Sequence, residues 1–177
     1  MLDTPISTEQ WLRQELDFIN MSHTLNGQLK AAFVSCNEET QELTLEFPLE
    51  GWQVNGLGTL HGGMAYTMMD LAMSIAVYCF SRETIPPTVS MTVNYLRPIP
   101  MDHSVLIRTH LTSLGRRNAT AYCEAIIPSS GKVACTVFTG GCNFRCPFCH
   151  NASLVLRPDE GEHIPEEELF ALLKKRQ

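Results

Sequence analysis

A single carboxylate, Asp70, interrupts the run of twenty otherwise uncharged residues from Gly62 to Ser81, and it stands eight positions after the glycine that opens them. An apolar run of this length reads as a helix. Glycines such as Gly62 and Gly63 at its start leave unpaired N–H groups unshielded, where the helix dipole favours negative charge. Amides so placed can hold an oxyanion, and a lone carboxylate can take a proton from water, so the pair suits hydrolysis of an activated carbonyl. At 1.5 Å per residue, Asp70 lies about 12 Å along the axis from Gly62. One carbonyl cannot touch both. If the two serve one reaction, the acid must come from a second copy of the helix running antiparallel to the first, which implies a two-fold dimer with sites at its interface. Structural readings stand beside this one: Gly-Gly as a tight turn, and Asp70 as a hydrogen-bonded buried acid.

The wider pattern Asn55-x-x-Gly58-x-x-His61-Gly62-Gly63 followed by Asp70 is far more restrictive than a lone His-Gly-Gly. The segment NGLGTLHGGMAYTMMDLA resembles the hotdog-fold acyl-CoA thioesterases of the phenylacetate-degradation type. The resemblance runs over roughly residues 10 to 138 and includes TVSMTVNYLRP, which in such proteins is the strand after the central helix. It implies an α+β hotdog fold, an antiparallel sheet curled around one long helix, and hydrolysis of a small or medium acyl-CoA without a cofactor. It also implies roles. Asp70 activates water or attacks the thioester carbonyl, the Gly62 amide polarises that carbonyl with Gly63 beside it, and Asn55 orients substrate or water. Thr88 falls where some relatives carry a hydroxyl that positions the water, and His61 is structural or substrate-orienting. Arg97, Arg116, Arg117 and Lys132 are the basic residues nearest the sheet's turns. They read either as solvated turn charges or as contacts to the phosphates of coenzyme A.

Composition narrows the classes. The chain has 177 residues, enough for one domain with a sizeable core, and 44% of them are hydrophobic. A formal charge of −6 with scattered Lys and Arg argues against a nucleic-acid surface. The N-terminal MLDTPISTEQWLRQELDF carries acids and no apolar core of signal length, so a cytoplasmic protein with reduced cysteines is expected. The segment 62–81 is nearly long enough to cross a bilayer. Asp70 at its middle, with Thr67 and Ser74 nearby, makes lipid an expensive surrounding, and burial by a sheet accounts better for a helix apolar all round.

Elements around that helix follow from local signals. Ser7 with Gln10 forms a capping box for a first helix through about Ile19, and Asn20 to Gly27 reads as loop. Gln28 to Cys36 and Glu42 to Leu49 read as strands joined by the turn Asn37-Glu38-Glu39-Thr40. After Pro86-Pro87, Val89, Met91, Val93 and Tyr95 alternate with polar residues, which predicts a half-buried strand over Thr88 to Arg97. Val105, Ile107, Thr109 and Leu111 continue period two, a turn follows at Leu114-Gly115-Arg116-Arg117, and Ala119 to Ile127 alternates again before a turn at Pro128 to Gly131.

The thioesterase-like domain is expected over 1–140 and a separate tail over 141–177. In the tail Cys142, Cys146 and Cys149 stand at C-x3-C-x2-C, and their surroundings resemble the cluster loop of radical S-adenosylmethionine enzymes, particularly glycyl-radical activating enzymes. That resemblance implies a [4Fe-4S] cluster with one open iron. Only 28 residues follow Cys149 (177 − 149 = 28), far fewer than the strand-helix units of the partial barrel that family needs, so the tail reads as a fragment of such an enzyme. Zinc held by the three cysteines with His150, or three free thiols, are the other readings.

Three function classes are open on sequence: an acyl-CoA hydrolase, a non-catalytic acyl-CoA binding module, and an iron-sulfur or zinc module carried by the tail. The expected partners are acyl-CoA and further copies of the chain, as dimer or tetramer. Met64, Met68, Met69 or Tyr66 are expected to line the acyl pocket.

Overall fold

The computed structural model describes residues 7–83, 87–102, 104–115 and 119–134, all within the unit Met1–Val137. Arg116, Arg117, the cysteines Cys142, Cys146 and Cys149, and His150 lie outside the described residues.

Helix α1 (Thr8–Asn20) starts where its capping box places it. Ser7 Oγ accepts from the Gln10 N–H and Gln10 Oε1 accepts from the Ser7 N–H, both at 3.2 Å. The stretch after it is not all loop. A single turn, α2 (Leu25–Gln28), is capped by Thr24, whose hydroxyl accepts from the Gly27 N–H. One turn is too short to show an apolar period, so only its cap residue signals it. With this turn, and Lys30 at φ 52 after it, the expected strand from Gln28 begins later, as β1 (Ala32–Asn37). Strand β2 (Glu42–Pro48) returns antiparallel to it. The Asn37 carboxamide oxygen closes the connection by accepting from the Glu39 and Thr40 N–H groups.

Helix α3 (Gly62–Ser81) occupies the span its composition marks out. Beyond it come β3 (Ser104–Leu114), β4 (Ala119–Ile127) and β5 (Lys132–Ala134). The five strands form one antiparallel sheet in the order β1-β2-β3-β4-β5, and α3 packs on β2, β3 and β4. This is the sheet-around-helix arrangement of the hotdog fold. Leu43, Leu45 and Phe47 from β2, and Val105, Ile107, Thr109 and Leu111 from β3, alternate into the core and are buried. They meet Met68, Ala72, Ile75 and Ala76 of α3. Full burial of a side chain such as Phe47 contributes about 1.5–3 kcal/mol. Within α3 only Gly63 is exposed, which is why the helix carries so few polar residues.

The far end of α3 is clamped by α1. Arg82 closes the helix in the left-handed region at φ 59. Its guanidinium lies over the Trp11 ring at 4.0 Å and donates to Thr8 Oγ1 at 2.6 Å. Trp11 in turn meets Tyr78 edge-on, with centroids 4.9 Å apart.

Residues 88–97 depart from expectation. They form no ladder with any described strand, and Val89 and Tyr95 are 78% and 57% exposed, while Met91 and Val93 pack against the core. Alternation sets which side chains share a face, but a strand exists only where a neighbouring backbone supplies hydrogen bonds. The segment instead runs alongside α3 in the opposite sense, with Thr88 at Asp70 and Tyr95 at Gly62.

Two buried thiols give the fold a pH dependence. Burial pushes the Cys79 thiol up from 9.0 to about 12, and the adjoining Cys36 thiol adds to the shift. Burial does the same to Cys123, also to about 12, helped by the charges of Glu124 and Asp70. Below pH 9.0 both thiols are protonated whether the chain is folded or not. Between 9.0 and about 12 only the unfolded chain ionises, so stability falls as pH rises through that window. Urea midpoints measured from pH 8 to pH 11 should fall, and Cys79→Ala with Cys123→Ala should flatten the decline.

Candidate active site

The loop entering α3 is built by Asn55. Its carboxamide oxygen accepts from the Leu57 N–H at 2.8 Å and the Thr59 N–H at 3.2 Å, and its Nδ2 donates to Thr59 Oγ1 at 2.9 Å. The Asn55 backbone N–H donates to the Thr59 carbonyl at 2.8 Å. Gly58 sits inside this turn at φ 77, a conformation costly for any side chain. Every polar group of Asn55 is thus tied to the loop. The structure gives it the work of shaping the approach to the helix.

From there the chain is anchored by the His61 N–H donating to the Gln53 carbonyl at 2.8 Å, and His61 becomes the N-cap of α3. Its Nδ1 accepts from the Gly63 N–H at 2.9 Å, so a neutral ring carries its proton on Nε2. The imidazole lies close enough that a Cβ on Gly63 would sit 3.1 Å from Nδ1, which explains the second glycine. Capping consumes the Gly63 amide, and the Met64 and Ala65 amides bond the His61 carbonyl. The Gly62 N–H is left without an acceptor among the described residues.

The cap makes a stability prediction. His61→Ala removes the acceptor and should cost about 1 kcal/mol in urea unfolding, whereas His61→Asn, a strong capping residue, should restore most of it.

Eight residues along α3, Asp70 is half-buried, and its Oδ1 accepts a 2.5 Å hydrogen bond from the Thr88 hydroxyl. Oδ2 has no partner among the described residues. Thr88 therefore orients the carboxylate and leaves one oxygen free to take a proton. Cys123 lies near enough to feel the Asp70 charge, but burial keeps its thiol protonated, so it offers no competing thiolate.

Tyr95 is a site residue that sequence reasoning did not single out. Its hydroxyl donates to the Gly62 carbonyl at 2.8 Å, and its ring lies 3.4 Å from where a Gly62 Cβ would stand. Burial, then Tyr66, raises its pKa, which keeps the phenol protonated as a donor. Nothing in the local spacing links positions 62 and 95.

Beside the helix tip lies a cavity of about 360 Å³ between α3, the 93–99 segment and the Asn55 loop. Ala65 and Met69 face it from α3 and Arg97 from the opposite wall. Of the four residues expected to line a pocket, Met69 is the one that borders this cavity. Met68, one position away, turns into the sheet and is buried there, while Met64 packs against the core. Residues 65 and 69 are one helical turn apart and share the face toward the cavity. Lys132 stands exposed at the start of β5.

Comparison with known proteins fits this geometry. Residues 57–140 match the profile of the family described as Thioesterase superfamily. The chain is 30% identical to acyl-coenzyme A thioesterase 13 of Mus musculus over 104 residues, which are 59% of this chain and 73% of that protein. Two solved structures share the fold: zebrafish thioesterase superfamily member 2, at 22% identity and TM-score 0.65 over 73% of this chain and 93% of that one, and the E. coli PaaI protein from the phenylacetic acid degradation operon, at 15% identity and TM-score 0.60 over 73% and 89%. The chain belongs to the thioesterase superfamily, a family of thioester hydrolases.

Proposed function

We propose that the protein hydrolyses acyl-CoA thioesters at a site shared by two copies of the chain. The Gly62 amide of one protomer holds the thioester carbonyl, and Asp70 of its partner draws a proton from the attacking water. The tetrahedral oxyanion then collapses, expelling the coenzyme A thiolate and leaving the free acid. Water and these groups suffice, with no cofactor in the step.

One observation carries the reading. The open donor at Gly62 and the Thr88-anchored carboxylate of Asp70 sit on the same helix, eight residues apart, about 12 Å along its axis. A two-fold axis beside α3 brings unlike ends together and creates two equal sites. Similarity to a protein named acyl-coenzyme A thioesterase supports coenzyme A as the thiol.

A panel of acyl-CoA substrates of increasing chain length, with released thiol as the readout, tests the proposal. Thiol release from none of them would remove it. Within the same assay, Thr88→Val should lower kcat about tenfold, the worth of one hydrogen bond to a charged group, and Thr88→Ser should restore it.

A further inference from the structure

We propose that Tyr95 is a positioning residue for the oxyanion donor: its hydroxyl, bonded to the Gly62 carbonyl, keeps the Gly62 N–H aimed at the thioester carbonyl. The inference rests on the acyl-CoA hydrolase reading and adds to that site a residue from outside the helix.

A donor stabilises developing charge best when it is already aimed and need not reorganise during the reaction. Gly62 by itself is poorly suited to that. It stands at the first position of α3, where helices fray, and glycine has the widest backbone freedom of any residue. The direction of its N–H depends on the two peptide groups that flank its Cα. The first, between His61 and Gly62, is held because the His61 carbonyl accepts from the Met64 and Ala65 N–H groups at 2.8 and 3.1 Å. The second, between Gly62 and Gly63, is held from both ends. His61 Nδ1 accepts from the Gly63 N–H at 2.9 Å, and the Tyr95 hydroxyl donates to the Gly62 carbonyl at 2.8 Å. A carbonyl oxygen has two lone pairs, so the phenol bonds it without displacing the helical N–H.

Tyr95 can anchor Gly62 only if it is itself anchored. Met91 and Val93, just before it, pack against the core. Just after it, the Ile99 carbonyl accepts from the Leu60 N–H at 2.9 Å and Pro100 pairs with Thr59, which ties this segment to the loop entering α3. The Tyr95 ring lies 3.4 Å from where a Gly62 Cβ would stand and borders the cavity. Thr88, on the same segment, holds Asp70. One stretch of chain thus steadies both reactive groups of α3.

Tyr95→Phe removes the hydroxyl and keeps the ring. In the thiol-release assay it should lower kcat about three- to tenfold, the worth of one neutral hydrogen bond, and leave KM unchanged. Because Tyr95 acts through the Gly62 N–H, the loss should vanish in a Gly62→Pro chain, which has no such donor, whereas a loss arising elsewhere would multiply in that background. A second readout needs no turnover. The 15N order parameter of the Gly62 amide should fall in Tyr95→Phe from the rigid value of about 0.85 toward the flexible range below about 0.6. An unchanged kcat, a raised KM with kcat held, a full further loss in the Gly62→Pro background, or an order parameter that stays at the wild-type value overturns the inference. Should wild-type protein hydrolyse no thioester, the hydrolase reading fails by itself and the order parameter decides: a fall upholds the hold of Tyr95 on the Gly62 N–H, and an unchanged value ends it.

Discussion

Asp70→Asn should lower kcat for acyl-CoA hydrolysis by about 10²- to 10⁴-fold, the usual contribution of a positioned general base. The substitution isolates the chemistry. An Asn carboxamide oxygen can still accept from the Thr88 hydroxyl, which Asp70 now holds through Oδ1, and the side chain keeps its volume among the half-buried residues of α3. Helix and cavity should therefore survive. What disappears is the free oxygen able to receive a proton from water. Steady-state kinetics paired with calorimetric binding of an unhydrolysed acyl-CoA analogue check the result: turnover falls while affinity holds. Unchanged turnover in the variant would remove Asp70 from the mechanism, and lost affinity would assign it to binding.

The second large effect comes from Gly62→Pro. Proline lacks the N–H but is well accommodated at the first position of a helix, where its fixed φ is already helical. Gly62 holds that position in α3. The residue before a proline must be extended, and His61 already is, at φ −64 and ψ 130. A Cβ at 62 would make only ordinary contact, 3.4 Å from the Tyr95 ring. The substitution thus removes the unengaged donor and little else, and kcat should fall by about 10²- to 10³-fold, as when one oxyanion donor is lost. Circular dichroism should show the helix intact.

Mixing the two inactive proteins then tests the shared site. A hybrid dimer of Asp70→Asn and Gly62→Pro chains contains one site with both wild-type groups and one with neither. Random reassortment makes half of the dimers hybrid, so activity should return to about a quarter of wild type. A mixture that stays inactive after subunits have exchanged would place both groups in one chain's site, contrary to the proposal.

Much of this molecule was legible before any coordinates. The bounds of α3 follow from composition, because a run of twenty residues with one charge has to be buried on most of its circumference. Ser7 and Gln10 mark the start of α1 through hydrogen bonds that span three residues, and the alternation in β3 and β4 shows which side chains face inward. Asp70 and Gly62 could be paired as candidate groups for the same reason, since helix geometry converts sequence spacing directly into distance.

Other features depended on where distant parts of the chain come to rest. Residues 88–97 alternate like a strand but lie along α3 without a ladder to any described strand, since pairing requires a neighbouring backbone and not only a pattern. Asn55 looked free to orient a substrate, yet the turn it closes engages its whole carboxamide. Met68 and Met69 are equivalent as letters, and a rotation of about 100° per residue sends one into the sheet and the other toward the cavity. Tyr95 at Gly62 and Arg97 in the cavity were invisible for the same cause. Local spacing determines the helix and the groups it carries; which side chains meet that helix from a segment thirty-three residues away is decided only by the packed path of the chain.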